Sequence, residues 1–460
     1  MKKTVVINIV GLSEKLIGEN TPHLSKWIKE KGQKSYIQPI LPAVTCSMQA
    51  TYLTGKNPTE HGIVGNGWYF KDECEIKFWK QSNKLIQSEI IWDKCKKINP
   101  DFISSNMFWW YNMYSQADYS VTPRPLYLAD GRKIPDCYAN PLLLRDQLTK
   151  ELGTFPLFDF WGPRTSIKSS QWIADASILV DKWHNPTLTF IYLPHLDYNC
   201  QRYGDNHPLV KFDLIEIDRV LNQLITYYES QLANIIILSE YGITNVSKPI
   251  HINRILRKND LLAIKYELGL ETLDAGASKA FAVVDHQLCH IYINDKNKEQ
   301  EIIDLLKSTE GIEKVITSNE RAKFLLNHER AGDIIVVADK DSWFTYYFWL
   351  DDSKAPDYAR TVDIHRKPGY DPLEMIANPK IKFLPLKVIF KLLKKKLGFR
   401  YLMDIIPLDA NLIKGSHGRI PENKKDWPIL ITSKQNFDIQ ENIKATDVNE
   451  IILNHLEILN

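Results

Sequence analysis

The sequence predicts an α/β protein: a mostly parallel sheet flanked by helices, with an inserted cap. Three observations carry this. First, β-branched apolar runs recur at TVVINIV (4–10), TLTFIYLPHLD (187–197) and NIIILSEYG (234–242), the pattern of strands covered on both faces. Second, helical patterns lie between such runs, as an α/β order requires. Third, Thr45, Asp197 and Glu240 each sit just beyond a strand end, where open parallel sheets hold their ligands.

Taken in order, strand 4–10 is followed by NTPHLSKWIKEKG, a helix bracketed by a cap residue, Pro22 in its first turn and Gly32 at its end. KSYIQPILPAV is extended up to Thr45, where a helix begins. The segment 78–165 breaks the pattern. Its stretch NMFWWYNMYSQADYSVTPRPLYLADGRKIPDCYANP is aromatic- and proline-rich, and it is read as a cap between core parts 1–77 and 166–350. LVKFDLIEIDRVLNQLITYYES has helical spacing, and HIYIN, KEQEIIDLLKSTEGIEKVIT and RAGDIIVVAD are read as strand, helix and strand extending the core. A second insertion spans 351–413, and residues 414–460 return to the core.

The 460 residues carry a net charge of +2, a balance that argues against a nucleic-acid polymer as partner. Six scattered cysteines without a Cys-x-x-Cys pair suit a reducing compartment. The N-terminal apolar run contains Asn8 and no small-residue cleavage site, so it reads as a buried strand rather than a secretion signal. With no stretch of membrane-spanning length, the expectation is a cytoplasmic protein of undetermined oligomeric state.

A threonine hydroxyl is a poor nucleophile unless a metal or base activates it. Alone, Thr45 reads as a helix cap and Asn66, between two glycines, as a turn residue. The ordered set NTPHLSKWIKEKG, LPAVTCSMQATYLTGKNPTEHGIVGNGWYF, YLPHLDYNCQRYG, LSEYGI, RAGDIIVVAD and GSHG changes that. Together these segments resemble the nucleotide pyrophosphatase/phosphodiesterase branch of the alkaline phosphatase superfamily. The resemblance is specific over 4–70 and thins to short motifs beyond. It implies an alkaline-phosphatase-like core and a metal-dependent phosphoester hydrolase or phosphoryl transferase acting on a small phosphodiester or pyrophosphate. It also implies a divalent metal, zinc first, with Thr45 as the nucleophile and Asn66 holding the phosphate.

The metal ligands depart from that family. Val10 stands in place of its first Asp, Glu240 and Tyr241 in place of an Asp-His pair, and Gln201 in place of a His; Asp197 and His417 are unchanged. Two readings follow. In one, the site is rebuilt: Asp197, His417 and Glu240 are joined by His195, on the same side of an extended strand as Asp197, or by Asp363 and His365 in VDIHRKPGYD. In the other, metal catalysis is lost and the fold is a catalytically silent phosphate-ligand-binding protein. Within 120–136, Arg124 is expected to face Thr45 and hold a second anionic group of the substrate. The aromatic cap supplies stacking area for an organic moiety. The helix 385–399 pairs an apolar stripe with lysines. Its main reading is a packed helix with a solvated basic face; weak contact with a membrane surface is the alternative.

Overall fold

A computed structural model describes residues 1–130, 132–433 and 439–458. Its centre is a nine-stranded sheet ordered 442–444, 32–38, 429–433, 234–238, 4–9, 188–193, 104–107, 119–123, 137–140. Five of the eight pairings are parallel and three antiparallel. Strand β1 (Thr4–Ile9) lies in the middle between Leu188–Leu193 and Asn234–Leu238, and all three are buried along their whole length. That is why they read as unbroken apolar runs. Helices Ile167–His184 and Pro208–Ser230 pack on each other and on these strands. Helix α1 (Pro22–Glu30) is tied to the second of them by Asp218, whose carboxylate accepts from the His23 and Leu24 backbone N–H groups at 2.9 Å each. An anion there meets the positive end of the helix.

Two parts of the expected organisation are corrected. The segment 78–165 is not a separate cap, because its strands Ser104–Met107, Tyr119–Pro123 and Cys137–Asn140 continue the central sheet. These strands are too short, and too polar in SSNM and CYAN, to register as apolar runs. Residues 280–338 do not extend the sheet. Ala280–Asp285, Leu288–Ile293, Ile334–Ala338 and Ile312–Ile316 form a four-stranded antiparallel sheet of their own. Tyr358, Tyr370, Leu373 and Ile406 of the expected second insertion share its hydrophobic core with Phe281 and Trp349. One continuous second lobe therefore replaces part of the expected core and the insertion after it. Its hairpin turn and the segment around Tyr370 reach the carboxyl ends of the central strands.

Candidate active site

Helix α2 (Thr45–Thr54) starts at the site, and its N-cap residue Val44 offers no side-chain acceptor. The first-turn N–H groups are thus left for other partners. Cys46 N–H donates to Asn66 Oδ1 at 3.0 Å. Asn66 in turn donates twice to Asp285, from its backbone N–H to Oδ2 (2.7 Å) and from Nδ2 to Oδ1 (3.0 Å). The Thr45 hydroxyl lies 3.3 Å from the Tyr241 hydroxyl. The same hydroxyl favours the ionised form of Glu240.

Past the strand Asn234–Leu238 the chain runs on through Gly242, which bridges to Gly11 and where a Cβ would run into the Asp426 carbonyl. Tyr241 reaches across the pocket from the residue before it. Its hydroxyl donates to Asp197 Oδ1 (3.2 Å), and Gln201 Nε2 donates to Asp197 Oδ2 (2.7 Å). The Tyr241 ring lies flat on His417, with centroids 3.5 Å apart and planes 7° apart. His417 packs in turn against His286 at 3.7 Å with the rings tilted by 36°, and His286 stacks on Tyr370 at 3.7 Å. Tyr370 O–H donates to Gln201 Oε1 at 3.0 Å, closing the circuit.

Two histidine tautomers are fixed by their partners. His417 Nδ1 faces the Ala43 carbonyl at 2.9 Å and His286 Nδ1 faces Asp285 at 2.8 Å, so both Nδ1 atoms carry the proton. Each Nε2 is buried without a hydrogen-bond partner. Burial holds both rings well below the usual imidazole range, hence neutral. The carboxyls move the other way. Burial pushes Asp197 and Asp285 up to about 6 and Glu240 up to about 8, against the hydrogen bonds they accept. For Glu240 those bonds come from Asn8 Nδ2 (2.7 Å) and Gln49 Nε2 (2.5 Å), both on Oε1. Its Oε2 has no hydrogen-bond partner.

These residues do not fit a two-zinc centre. Zinc takes three or four N, O or S donors at about 2 Å. Here Val10 offers none, and the donor atoms of Asp197, Glu240 and His417 are not gathered closely enough to share an ion. Among the described residues, the one group of three or more His, Cys, Asp or Glu side chains with ligand atoms close enough to share an ion is His195, Asp213 and Glu216.

Several sequence-predicted residues therefore separate. Thr45, Asn66, Asp197, Glu240 and His417 come together. His195 does not join them. Residues 195–203 form a helix rather than the end of a strand, so His195 and Asp197 are about 200° apart around its axis. His195 Nε2 faces Asp213 (3.4 Å) and Glu216 (3.2 Å) of the neighbouring helix, which explains its burial as an ion pair. Asp363 pairs with Lys133 at 3.0 Å. His365 lies by the Phe78 carbonyl (3.4 Å) and the Tyr127 ring. Arg124 is exposed near Lys80 and Tyr127, and its backbone N–H donates to the Asp136 carbonyl.

Sequence reasoning missed Asp285, His286, Tyr370, Asn8 and Gln49. One signal was present. The two-residue turn His286–Gln287 in AFAVVDHQLCHIYI lacks the Asn-Gly or Gly pair that tight hairpins favour. His286 takes φ +64 there, a non-glycine left-handed residue of the kind that functional sites retain.

A mostly parallel sheet with Thr, Asn, Asp and His gathered at its central strand ends defines the chain as an alkaline-phosphatase-like α/β protein. The family model described as type I phosphodiesterase / nucleotide pyrophosphatase matches residues 4–371, and the chain belongs to that family. An uncharacterized pyrophosphatase/phosphodiesterase of Schizosaccharomyces pombe is 24% identical over 253 residues, 53% of this chain and 45% of the relative. The match therefore spans less than half of that relative's length. Among solved structures, murine ectonucleotide pyrophosphatase/phosphodiesterase 5, as an inactive Thr-to-Ala variant in complex with AMP, aligns with a TM-score of 0.61 at 15% identity, covering 99% of this chain and 95% of that one. Phosphonoacetate hydrolase from Sinorhizobium meliloti 1021 in complex with phosphonoformate aligns at 0.63 and 14% identity, covering 99% and 96%. At these identities the likeness establishes the fold.

Proposed function

We propose that the chain hydrolyses a small phosphodiester or pyrophosphate through Thr45, with Glu240 rather than a pair of zinc ions activating the hydroxyl. The observation that carries this is Thr45 at the start of α2, beside Glu240 and the Cys46–Asn66 donors. A carboxyl held up to about 8 is a base matched to near-neutral operation. In the first step Thr45 Oγ attacks phosphorus, its proton passes to the Glu240 carboxylate, and the alcohol departs opposite, taking a proton from solvent. Water then attacks the phosphothreonine and gives its proton to solvent, while the protonated Glu240 returns its proton to the departing Thr45 Oγ, restoring both groups. Cys46 N–H, the Asn66 amide and the α2 N-terminus would hold the phosphoryl oxygens, once substrate replaces Asp285 on Asn66 and Asn66 Oδ1 on the Cys46 N–H. Three buried carboxyls face this space and no Lys or Arg hydrogen-bonds to Thr45 or Asn66 among the described residues. A monoanionic diester is therefore better tolerated than a dianionic monoester.

A second reading is favoured by the closure of the pocket. Thr45 and Asn66 are 3% and 1% exposed, and Asp285 occupies the donors that would hold phosphate. On that reading the chain is a catalytically silent phosphate-ligand-binding protein. Turnover of an aryl phosphodiester by wild type but not by Thr45→Ala supports the first reading. Phosphate binding without turnover at any pH or metal supplement supports the second.

A further inference from the structure

Residues 380–403 contain eight Lys or Arg and no Asp or Glu. Their centre is the helix Leu384–Lys396, none of whose residues is buried. At 100° per residue, Leu386, Ile389, Phe390, Leu393 and Leu397 fall in one stripe about 100° wide, with Lys391 and Lys395 opposite and Lys387 and Lys394 on its flank. A helix packed on its own protein turns such a stripe inward. This one turns it outward: Leu386 is 63% exposed, Phe390 57%, Leu393 51% and Leu397 71%. The basic side is what is tied back, Lys387 and Lys391 pairing with Asp404 at 3.0 and 2.9 Å. Phe383 and Phe399 extend the exposed apolar surface past both ends. The sequence expectation of a packed helix with a solvated basic face is thus reversed.

We infer that this helix docks the protein on an anionic lipid surface, lying in the interface with Leu386, Phe390, Leu393 and Leu397 inserted. Lys382, Lys394, Lys396 and Arg400 would meet the headgroups at its rim. A basic amphipathic helix with an unpartnered apolar face has the chemistry for this. A second copy of the chain fits worse, since pairing these faces brings two sets of eight cations together. Spanning is excluded by length, for no helix among the described residues is long and apolar enough to cross a membrane. The inference does not depend on whether Thr45 turns over a substrate.

Co-sedimentation of the full chain with phosphatidylcholine vesicles, with and without phosphatidylglycerol, tests it. Binding is expected with the anionic vesicles and is expected to weaken as salt is raised. The double variant Phe390→Glu/Leu393→Glu should lose binding by about tenfold or more, at an unchanged melting temperature because both side chains are solvent-facing. Sedimentation velocity of both proteins completes the test. Equal pelleting with and without vesicles overturns the inference, as does a double variant that still binds. A wild-type dimer that becomes monomeric in the variant, with no vesicle binding by either, assigns the face to a second copy instead.

Discussion

Glu240→Gln isolates the proton on which the proposed chemistry depends. Burial raises this carboxyl from 4.5 to about 8, at about 1.4 kcal/mol per pH unit. The folded protein therefore holds a proton that the unfolded chain gives up at lower pH. Stability from this group is complete below the unfolded value and is lost as pH rises through the folded one. Between pH 6 and 9 the loss still to come spans about two pH units, or about 3 kcal/mol. Asp197 and Asp285, raised to about 6, finish their loss near the lower end of that window in both proteins. Gln keeps the acceptor that Asn8 and Gln49 use and cannot ionise. Urea denaturation at pH 6 and pH 9 should therefore show wild type losing about 3 kcal/mol more than Glu240→Gln. Equal losses in the two proteins would refute the raised carboxyl and with it the choice of base.

The remaining predictions concern the groups around it. Tyr241→Phe keeps the ring on His417 but removes two long hydrogen bonds, so thermal unfolding should register a cost of only about 1 kcal/mol. Asp285→Ala leaves the Asn66 N–H and Nδ2 without their acceptor, a cost on the order of 2 kcal/mol. By freeing those donors it should tighten inorganic phosphate binding in calorimetry, and unchanged affinity would mean Asn66 is not the phosphate site. Arg124→Ala should leave stability within about 0.5 kcal/mol. A rise in KM with kcat preserved is required if this arginine meets a second anionic group of the substrate, and unchanged kinetics would remove it from the site.

The central sheet was legible wherever strands are buried on both faces, because β1, Leu188–Leu193 and Asn234–Leu238 must be apolar throughout. The short polar strands Ser104–Met107 and Cys137–Asn140 were not, since neighbours rather than composition make them strands. Thr45, Asn66, Asp197, Glu240 and His417 could be singled out because each lies in a recognisable motif, Asn66 in the loop just before the strand Gly67–Phe70 and the others after strands. His195 misled because period-2 spacing was applied to what is the first turn of a helix. Asp285, His286 and Tyr370 come from a second lobe far along the chain, and only tertiary packing brings them to Asn66 and His417. The outward apolar stripe of Leu384–Lys396 could not be read from periodicity, which gives the stripe and not the direction it faces.

Turnover of an aryl phosphodiester by metal-depleted protein, with wild type and Thr45→Ala side by side, tests the account most directly. Wild type is expected to release the aryl alcohol at a rate insensitive to chelator and rising as pH passes the Glu240 value of about 8. Thr45→Ala is expected to lose orders of magnitude in rate. Turnover that appears only when zinc is restored, or that survives in Thr45→Ala within about tenfold, would contradict it.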